Sequence, residues 1–403
     1  MKKLIKYILI LCCCSLIYTC IEPIEFTTNS FNTNLVVNSI ITDEFKTQKI
    51  ELSRTIPIDS LNLSPEKDAN VSIVDDTGLT YNFQENGAGV YTSINQFAAQ
   101  ADRKYTLNIE TKDGNTYVSS PQPVPAKSTI KEITAGIENN SLTQKPEFLF
   151  KVSSDITTNT GQYYRYEYDE TYKIRTPLWN PRKIVIISDT IPYKFDLVQK
   201  DPLIDGVGFC FPNKESKAVF LTETVSLAQD QVIGFPLRQI PIESYIVGIR
   251  YSILVKQYVL NQNTYNFYSL MEKFSDPDDI FSQTQVGNIP SNISSVNNPE
   301  QDKVIGFFEV SSVSKKRLFV NRKDFTESPF INYELLALCT ERREPQIVDD
   351  FNRSPLLNHL RIGWVYQTDS ETPDPNRPYR LTIKICGDCT HLGPAKTPDF
   401  WVD

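Results

Sequence analysis

KYTLNIETKDGNTYVSS, residues 104–120, decides the fold class. Tyr105, Leu107 and Ile109 alternate with polar neighbours, and TYVSS (116–120) takes up the same period-two spacing. Asp113–Gly114 between the two runs is the dipeptide expected at the turn of a β-hairpin. The pattern extends upstream through LVVNSIIT (35–42), QKIELSRTI (48–56), ANVSIVDD (69–76), LTYNF (79–83) and GVYTSI (89–94). Asp76–Thr77–Gly78 and Asn86–Gly87 supply further turns. Seven short strands in about 90 residues predict an immunoglobulin-like β-sandwich over 34–125. It contains no cysteine, so its core must come from inward residues such as Val36, Leu52, Val71, Ile73, Tyr91, Tyr105, Leu107 and Ile109.

PQPVPAK (121–127) reads as a semi-rigid linker or domain edge. Strand patterns resume at PEFLFKVSS (146–154) and YYRYEYDETYKI (163–174), where Tyr164, Tyr166 and Tyr168 alternate with Arg165 and Glu167. Further runs are KIVIIS (183–188), KAVFLTETV (217–225), YIVGIRYSILVKQYVL (245–260), KVIGFFEVSSV (303–313), KRLFVN (316–321) and PYRLTIKIC (378–386). A helix near 261–274 interrupts them, with Thr264, Phe267, Tyr268, Met271 and Phe274 on one face and Asp276–Pro277 as its stop. A second helix is expected around 332–342. The reading is mainly β: the sandwich, then a larger β-rich, sandwich-like domain over 126–403 with one or two short helices and a C-terminal Cys-x-x-Cys segment.

The first nineteen residues have another character. Lys2, Lys3 and Lys6 precede an apolar run of about a dozen residues, too short to span a bilayer comfortably. Residues 1–19 therefore read as a signal peptide that ends at Cys20, the cysteine that bacterial lipoproteins acylate. Ile17 suits the branched aliphatic position before it, whereas Tyr18 and Thr19 are bulkier than usual. A cleaved secretory signal followed by an unmodified cysteine is the alternative. Residues 20–33 are polar, lack periodicity and read as a tether. The chain of 403 residues carries a formal charge of −8, and removal of three lysines with the signal leaves about −11. Such a surface disfavours nucleic acid as a partner. Cys12, Cys13 and Cys14 leave with the signal, so Cys210, Cys339, Cys386 and Cys389 remain as disulfide candidates with three connectivities open.

Chemistry-bearing motifs are sparse. Cys386, Cys389 and His391 have a spacing that zinc could use if Cys210 or Cys339 completed the set, but a structural disulfide framework is the expected reading. Thr390 stands where a c-type haem attachment needs histidine. A thioredoxin-like motif would require a strand-to-helix turn inside a βαβ unit, which this pattern lacks. Asp276, Asp278 and Asp279 cluster without the mid-loop glycine of a calcium site. With only two histidines and no recognisable nucleophile motif, no catalytic residue, metal or cofactor is assigned. His359, in LLNHLRIGW, reads as a structural histidine in a strand-like run.

Several segments together resemble the DUF4249 family of Bacteroidota lipoproteins. They are Cys20 to Pro23, LVVNSIITDE (35–44), KIELSRTIP (49–57), DANVSIVDDTG (68–78), YSILVKQYVLNQNTYNFY (251–268), VIGFFEVSSVSKKRLFV (304–320) and CGDCTHLG with the closing PDFW (386–401). The resemblance implies a lipid-anchored outer-membrane protein facing the cell exterior, often encoded beside SusC-type TonB-dependent receptors. The expected role is thus that of a non-enzymatic partner of such a β-barrel receptor in nutrient uptake. The alternative is an accessory subunit of an envelope protein-export or outer-membrane assembly machine. Asp59–Ser60–Leu61 and Asp189–Thr190–Ile191 match the loose periplasmic O-glycosylation tripeptide of that phylum, at Ser60 and Thr190.

Acylation of Cys20 has a direct test. Cys20→Ala is expected to abolish palmitate incorporation and to move the protein into soluble fractions; a variant that keeps its lipid label would refute the assignment.

Overall fold

The computed structural model describes residues 33–56, 64–157, 162–202, 205, 208–275, 290–300, 302–327, 338–371 and 374–403. The protein is mainly β. All seven strands expected in the first part form, as β1 (Leu35–Thr42), β2 (Lys49–Arg54), β4 (Asn70–Asp75), β5 (Thr80–Glu85), β6 (Val90–Ser93), β7 (Lys104–Glu110) and β8 (Thr116–Ser119). Two-residue pieces β3 (Ser64–Pro65) and β9 (Gln122–Pro123) add to β2 and β7. Gly78 and Gly114 take the left-handed conformation at their turns, with φ of 87° and 84°. Leu52, Val71, Ile73, Tyr91, Tyr105, Leu107 and Ile109 are buried in one core. Val36 is not among them. LVVNSIIT is apolar in both phases, and the strand buries Leu35, Val37 and Ile41 while turning Val36 to the opposite face.

The second part is also layered. β10 (Ile130–Asn139), β11 (Pro146–Ser154) and, later in the chain, β18 (Phe235–Pro241) form one antiparallel sheet. It covers β12 (Tyr163–Arg175) and β19 (Arg250–Leu260), which pair from Tyr163 opposite Leu260 to Lys173 opposite Arg250. The alternation in YYRYEY settles the orientation of β12: Tyr164, Tyr166 and Tyr168 enter the core between the sheets, and Arg165 and Glu167 face away. Phe150 meets Tyr251 at 4.9 Å and Phe235 meets Tyr166 at 5.5 Å between ring centroids. β13 (Arg182–Ser188) and β14 (Lys194–Gln199) make a separate hairpin, while β15 (Phe209–Cys210), β16 (Asn213–Glu215) and β17 (Phe220–Glu223) pair with β12.

After β19, Asn261 caps helix α1 (Gln262–Ser275): its Oδ1 accepts from the backbone N–H of Thr264 at 2.9 Å. Thr264 and Phe267 are buried, whereas Met271 lies at the exposed edge of the expected stripe. The expected stop at Asp276–Pro277 and most of the helix expected around 332–342 lie outside the described residues. β20 (Ile293–Ser295) then pairs with β8, returning to the first domain. β21 (Val304–Asn321) merges the two expected runs into one strand of 18 residues. Val304 to Ser311 run parallel to β1, and Ser312 to Asn321 run antiparallel to β19. One strand thus belongs to both domains, and Phe308 and Val310 complete the first core.

The C-terminal portion carries a small sheet of β22 (Arg342–Arg343), β24 (Tyr379–Ile383) and β23 (Trp364–Asp369), with helices α2 (Pro355–Arg361) and α3 (Lys384–Gly387). The stretch around His359, expected as strand-like, is α2. Ser354 caps it, with Oγ accepting from the Leu357 N–H at 3.2 Å, and Pro355 occupies the first turn. The closing PDFW is docked: Trp401 packs edge-on against Phe211 at 5.0 Å and Phe319 at 5.6 Å.

Gly306 makes the β1–β21 pairing possible. Its φ is 117°, and a Cβ there would lie 1.9 Å from the Val37 carbonyl oxygen. Gly306→Ala should therefore lower stability by at least about 2 kcal/mol, read as a fall in the urea midpoint. An unchanged midpoint would show that this pairing is dispensable.

Candidate functional site

Arg165 faces away from the tyrosine core and is nevertheless buried, because α1 covers it. Its Nη2 donates to both carboxylate oxygens of Glu309 on β21, at 3.0 and 3.2 Å. A second ion pair joins it to Glu167. The guanidinium lies between two rings, 4.2 Å from the centroid of Tyr258 on β19 and 4.8 Å from that of Tyr268 on α1. Tyr268 donates to Glu309 at 2.7 Å and Tyr258 to Glu167 at 3.2 Å. Burial alone would ease the proton off the arginine, but the facing carboxylates hold its pKa well above the ordinary value. Both phenols are pushed upward, first by burial and then by the neighbouring carboxylates. This charged knot stitches β12, β19, β21 and α1 together and fixes how the helix lies on the sheet.

Two grooves flank the fixed helix and share Phe267 and Phe307. One, of 580 Å³, is largely apolar, with Val36, Val219, Met271 and Ile305 in its lining. The other, of 620 Å³, presents Ser119, Ser120, Asn263 and Asn292. Both volumes suit small-molecule or side-chain capture.

The four remaining cysteines form two bridges, Cys210–Cys389 and Cys339–Cys386, with Cα separations of 5.7 and 5.6 Å. Cys386 and Cys389 are thus not bonded to each other. With all four sulfurs committed to disulfides, the zinc reading loses its thiolate ligands, and His391 is exposed on a short 3₁₀ turn. Among the described residues no group of three His, Cys, Asp or Glu side chains could hold a metal. Cys20 and Ser60 lie outside the described residues. Thr190 is exposed in the turn between β13 and β14, where the preceding Asp189 accepts from Arg361 at 3.0 Å.

Beside the Cys339–Cys386 bridge is a cleft of 740 Å³ that is not among the sites expected from sequence. Arg342, Arg343, Arg377, Arg380, Glu344 and His359 take part in its lining. Antiparallel pairing sets Arg342 opposite Thr382 and Arg343 opposite Leu381, which brings two distant arginine-bearing stretches together. Arg380 holds Glu344 and Glu371, each at 2.8 Å, and Arg377 pairs with Asp374 at 3.6 Å. The available signal was the Arg342–Arg343 doublet in an acidic chain.

Comparison with known proteins gives a family and little more. The family described as "Domain of unknown function (DUF4249)" matches residues 21–317. No curated protein matches the chain. A crystal structure of a DUF4785 family protein from Legionella pneumophila subsp. pneumophila is similar over 50% of this chain and 56% of its own, at 9% identity and a TM-score of 0.16. The chain thus spans little more than half the length of that protein.

The charged knot can be tested by double substitution. Arg165→Met should cost roughly 3–5 kcal/mol by leaving Glu309 buried without its partner, and adding Glu309→Leu should recover at least half of that loss. Urea unfolding measures both. A single variant costing under about 1 kcal/mol would mean that the knot does not hold the helix.

Proposed function

The chain belongs to the DUF4249 family, and from that premise we propose that it is a lipid-anchored outer-membrane protein of a Bacteroidota bacterium. It is held through Cys20, faces the cell exterior, and serves as a non-enzymatic partner of a TonB-dependent, SusC-like receptor in nutrient uptake. The observation that carries the reading is the coincidence of two boundaries. The family match begins at residue 21, immediately after the cysteine that ends the signal-like segment. Sequence shared by the family thus starts where a lipidated mature chain would start. Two acyl-type signals at one residue would give durable anchoring, and residues 20–33 would let the β domains stand off the bilayer.

The structure is compatible with this role in what it offers for contact. Two grooves flank a helix locked by Arg165, and a third cleft is lined by arginines. Disulfides are at home in an exported protein. Thr190, on an exposed turn, is accessible to the glycosylation that the same compartment would allow.

Co-purification in mild detergent from the native membrane is the decisive experiment. Recovery with a plug-bearing TonB-dependent barrel is the expected result. Recovery with an assembly or export barrel would transfer the protein to an envelope machine, and recovery with no barrel would defeat the partnership.

A further inference from the structure

We propose that the arginine-lined cleft of the C-terminal portion binds a small polyvalent oxyanion, a molecule carrying at least two carboxylate or phosphate groups. The inference supplies a ligand for the binding role proposed above, yet needs neither the anchor nor the barrel, so either proposal can fail without the other.

Charge is the first argument. The whole chain carries −8, but four arginines face two glutamates in the lining of this cleft. Arg380 is neutralised by Glu344 and Glu371, and Arg377 is satisfied by Asp374 and by the Glu344 carbonyl, to which its Nη1 donates at 3.1 Å. Arg342 and Arg343 differ. Among the described residues neither forms an ion pair; Arg342 acts on Glu371 only at a distance, and Arg343 faces the Trp364 ring, 6.0 Å from its guanidinium carbon. Two guanidinium groups at a concave surface of an otherwise acidic protein focus a local positive field. The cleft at Lys173 offers a contrast. There Lys173, Arg250 and Arg322 already hold Asp403, Asn321 and the Ile242 carbonyl.

Geometry is the second argument. A volume of 740 Å³ is the size of a small-molecule site. The guanidinium is a planar fork of donors that matches a carboxylate or phosphate edge in bidentate fashion. β22 is held on one side by its pairing with β24 and begins three residues after Cys339, which is bridged to Cys386. The backbone bearing both arginines is therefore fixed, which lowers the entropic cost of gripping a ligand. His359 adds a polar atom. A carbonyl can only accept, so the 2.8 Å contact between Nδ1 and the Pro355 oxygen places a proton on Nδ1; in that neutral tautomer Nε2 is an acceptor, suited to a protonated oxygen of the ligand and not to an ionised one.

The test is calorimetric titration of the purified mature chain, disulfides intact and at low salt, with pyrophosphate, citrate, inorganic phosphate and acetate. Pyrophosphate or citrate should bind with a Kd below about 1 mM and at least about tenfold more tightly than acetate. Whichever of the two binds more tightly distinguishes a phosphate-bearing from a carboxylate-bearing ligand. The double variant Arg342→Ala, Arg343→Ala should weaken that binding by at least about tenfold, whereas Lys323→Ala, in the Lys173 cleft, should leave it unchanged. Both arginines are exposed, so the variant should fold, which circular dichroism and disulfide mapping check. Equal affinity in wild type and double variant, an equal loss in Lys323→Ala, or no binding of any probe would overturn the proposal.

Discussion

The whole molecule depends on the parallel pairing of β1 with the first half of β21. Without it β1 would be an exposed edge with a row of unpaired backbone groups, the kind of edge that invites aggregation. A parallel pair cannot be joined by a tight turn; it needs a long crossover. Here the crossover comprises the rest of the first domain and much of the second, because the partners are Leu35 and Val304 at one end and Thr42 and Ser311 at the other. At Ser312 the same strand passes to β19. The close approach at Gly306, whose backbone nearly touches Val37, is the local price of that junction.

That handover also explains where the charged knot lies. Glu309 sits opposite Ile40 in the parallel register, near the end of the segment shared with β1. From there its carboxylate reaches Arg165 on β12, two strands away, and Tyr268 on the helix above. An ion pair so buried is costly to desolvate and gains its stability only when every partner is in place. Two rings and two carboxylates surround the guanidinium and engage its Nη atoms, leaving the buried Nε without a hydrogen-bond partner among the described residues. The knot therefore works as a register pin, coupling the orientation of α1 to the correct assembly of three strands, and both grooves beside the helix inherit their shape from it.

Much of the first domain was legible in sequence because period-two alternation and Asx-Gly turns report local geometry, and they did so for all seven strands. Val36 shows the limit: when both phases of a strand are apolar, only its neighbours decide which face is inward. β21 was read as two strands because the polar Ser314–Lys315–Lys316 stretch looks like a break, yet it is merely the more exposed part of a continuous ladder. The helix at 355–361 was missed for the opposite reason. Its apolar run resembles a strand, whereas Ser354 followed by Pro355 is a sound helix-start signal. Disulfide pairing and the arginine cleft were beyond reach, since both depend on which distant segments meet.

The two disulfides and the cleft are best understood as one design. The C-terminal sheet has a small apolar cluster of its own, with Cys339 and Cys386 buried among Leu178, Ile383 and Ile385. Even with Leu356, Leu357, Tyr366 and Leu381 also buried, this is a modest core to set against the ordering of a three-stranded sheet and two short helices. The bridges close stretches of 47 and 179 residues, and in the chain-entropy account loops of that size are worth roughly 4 and 5 kcal/mol. They offset what the core lacks, and one of them also fixes the strand that carries Arg342 and Arg343. Clustered guanidinium groups repel one another and would splay on a loose segment. On a strand paired with β24 and tied covalently three residues away at Cys339, the two side chains leave a fixed backbone on alternate faces and both reach the lining of the cleft, so the covalent framework that stabilises the portion also pre-arranges its charge.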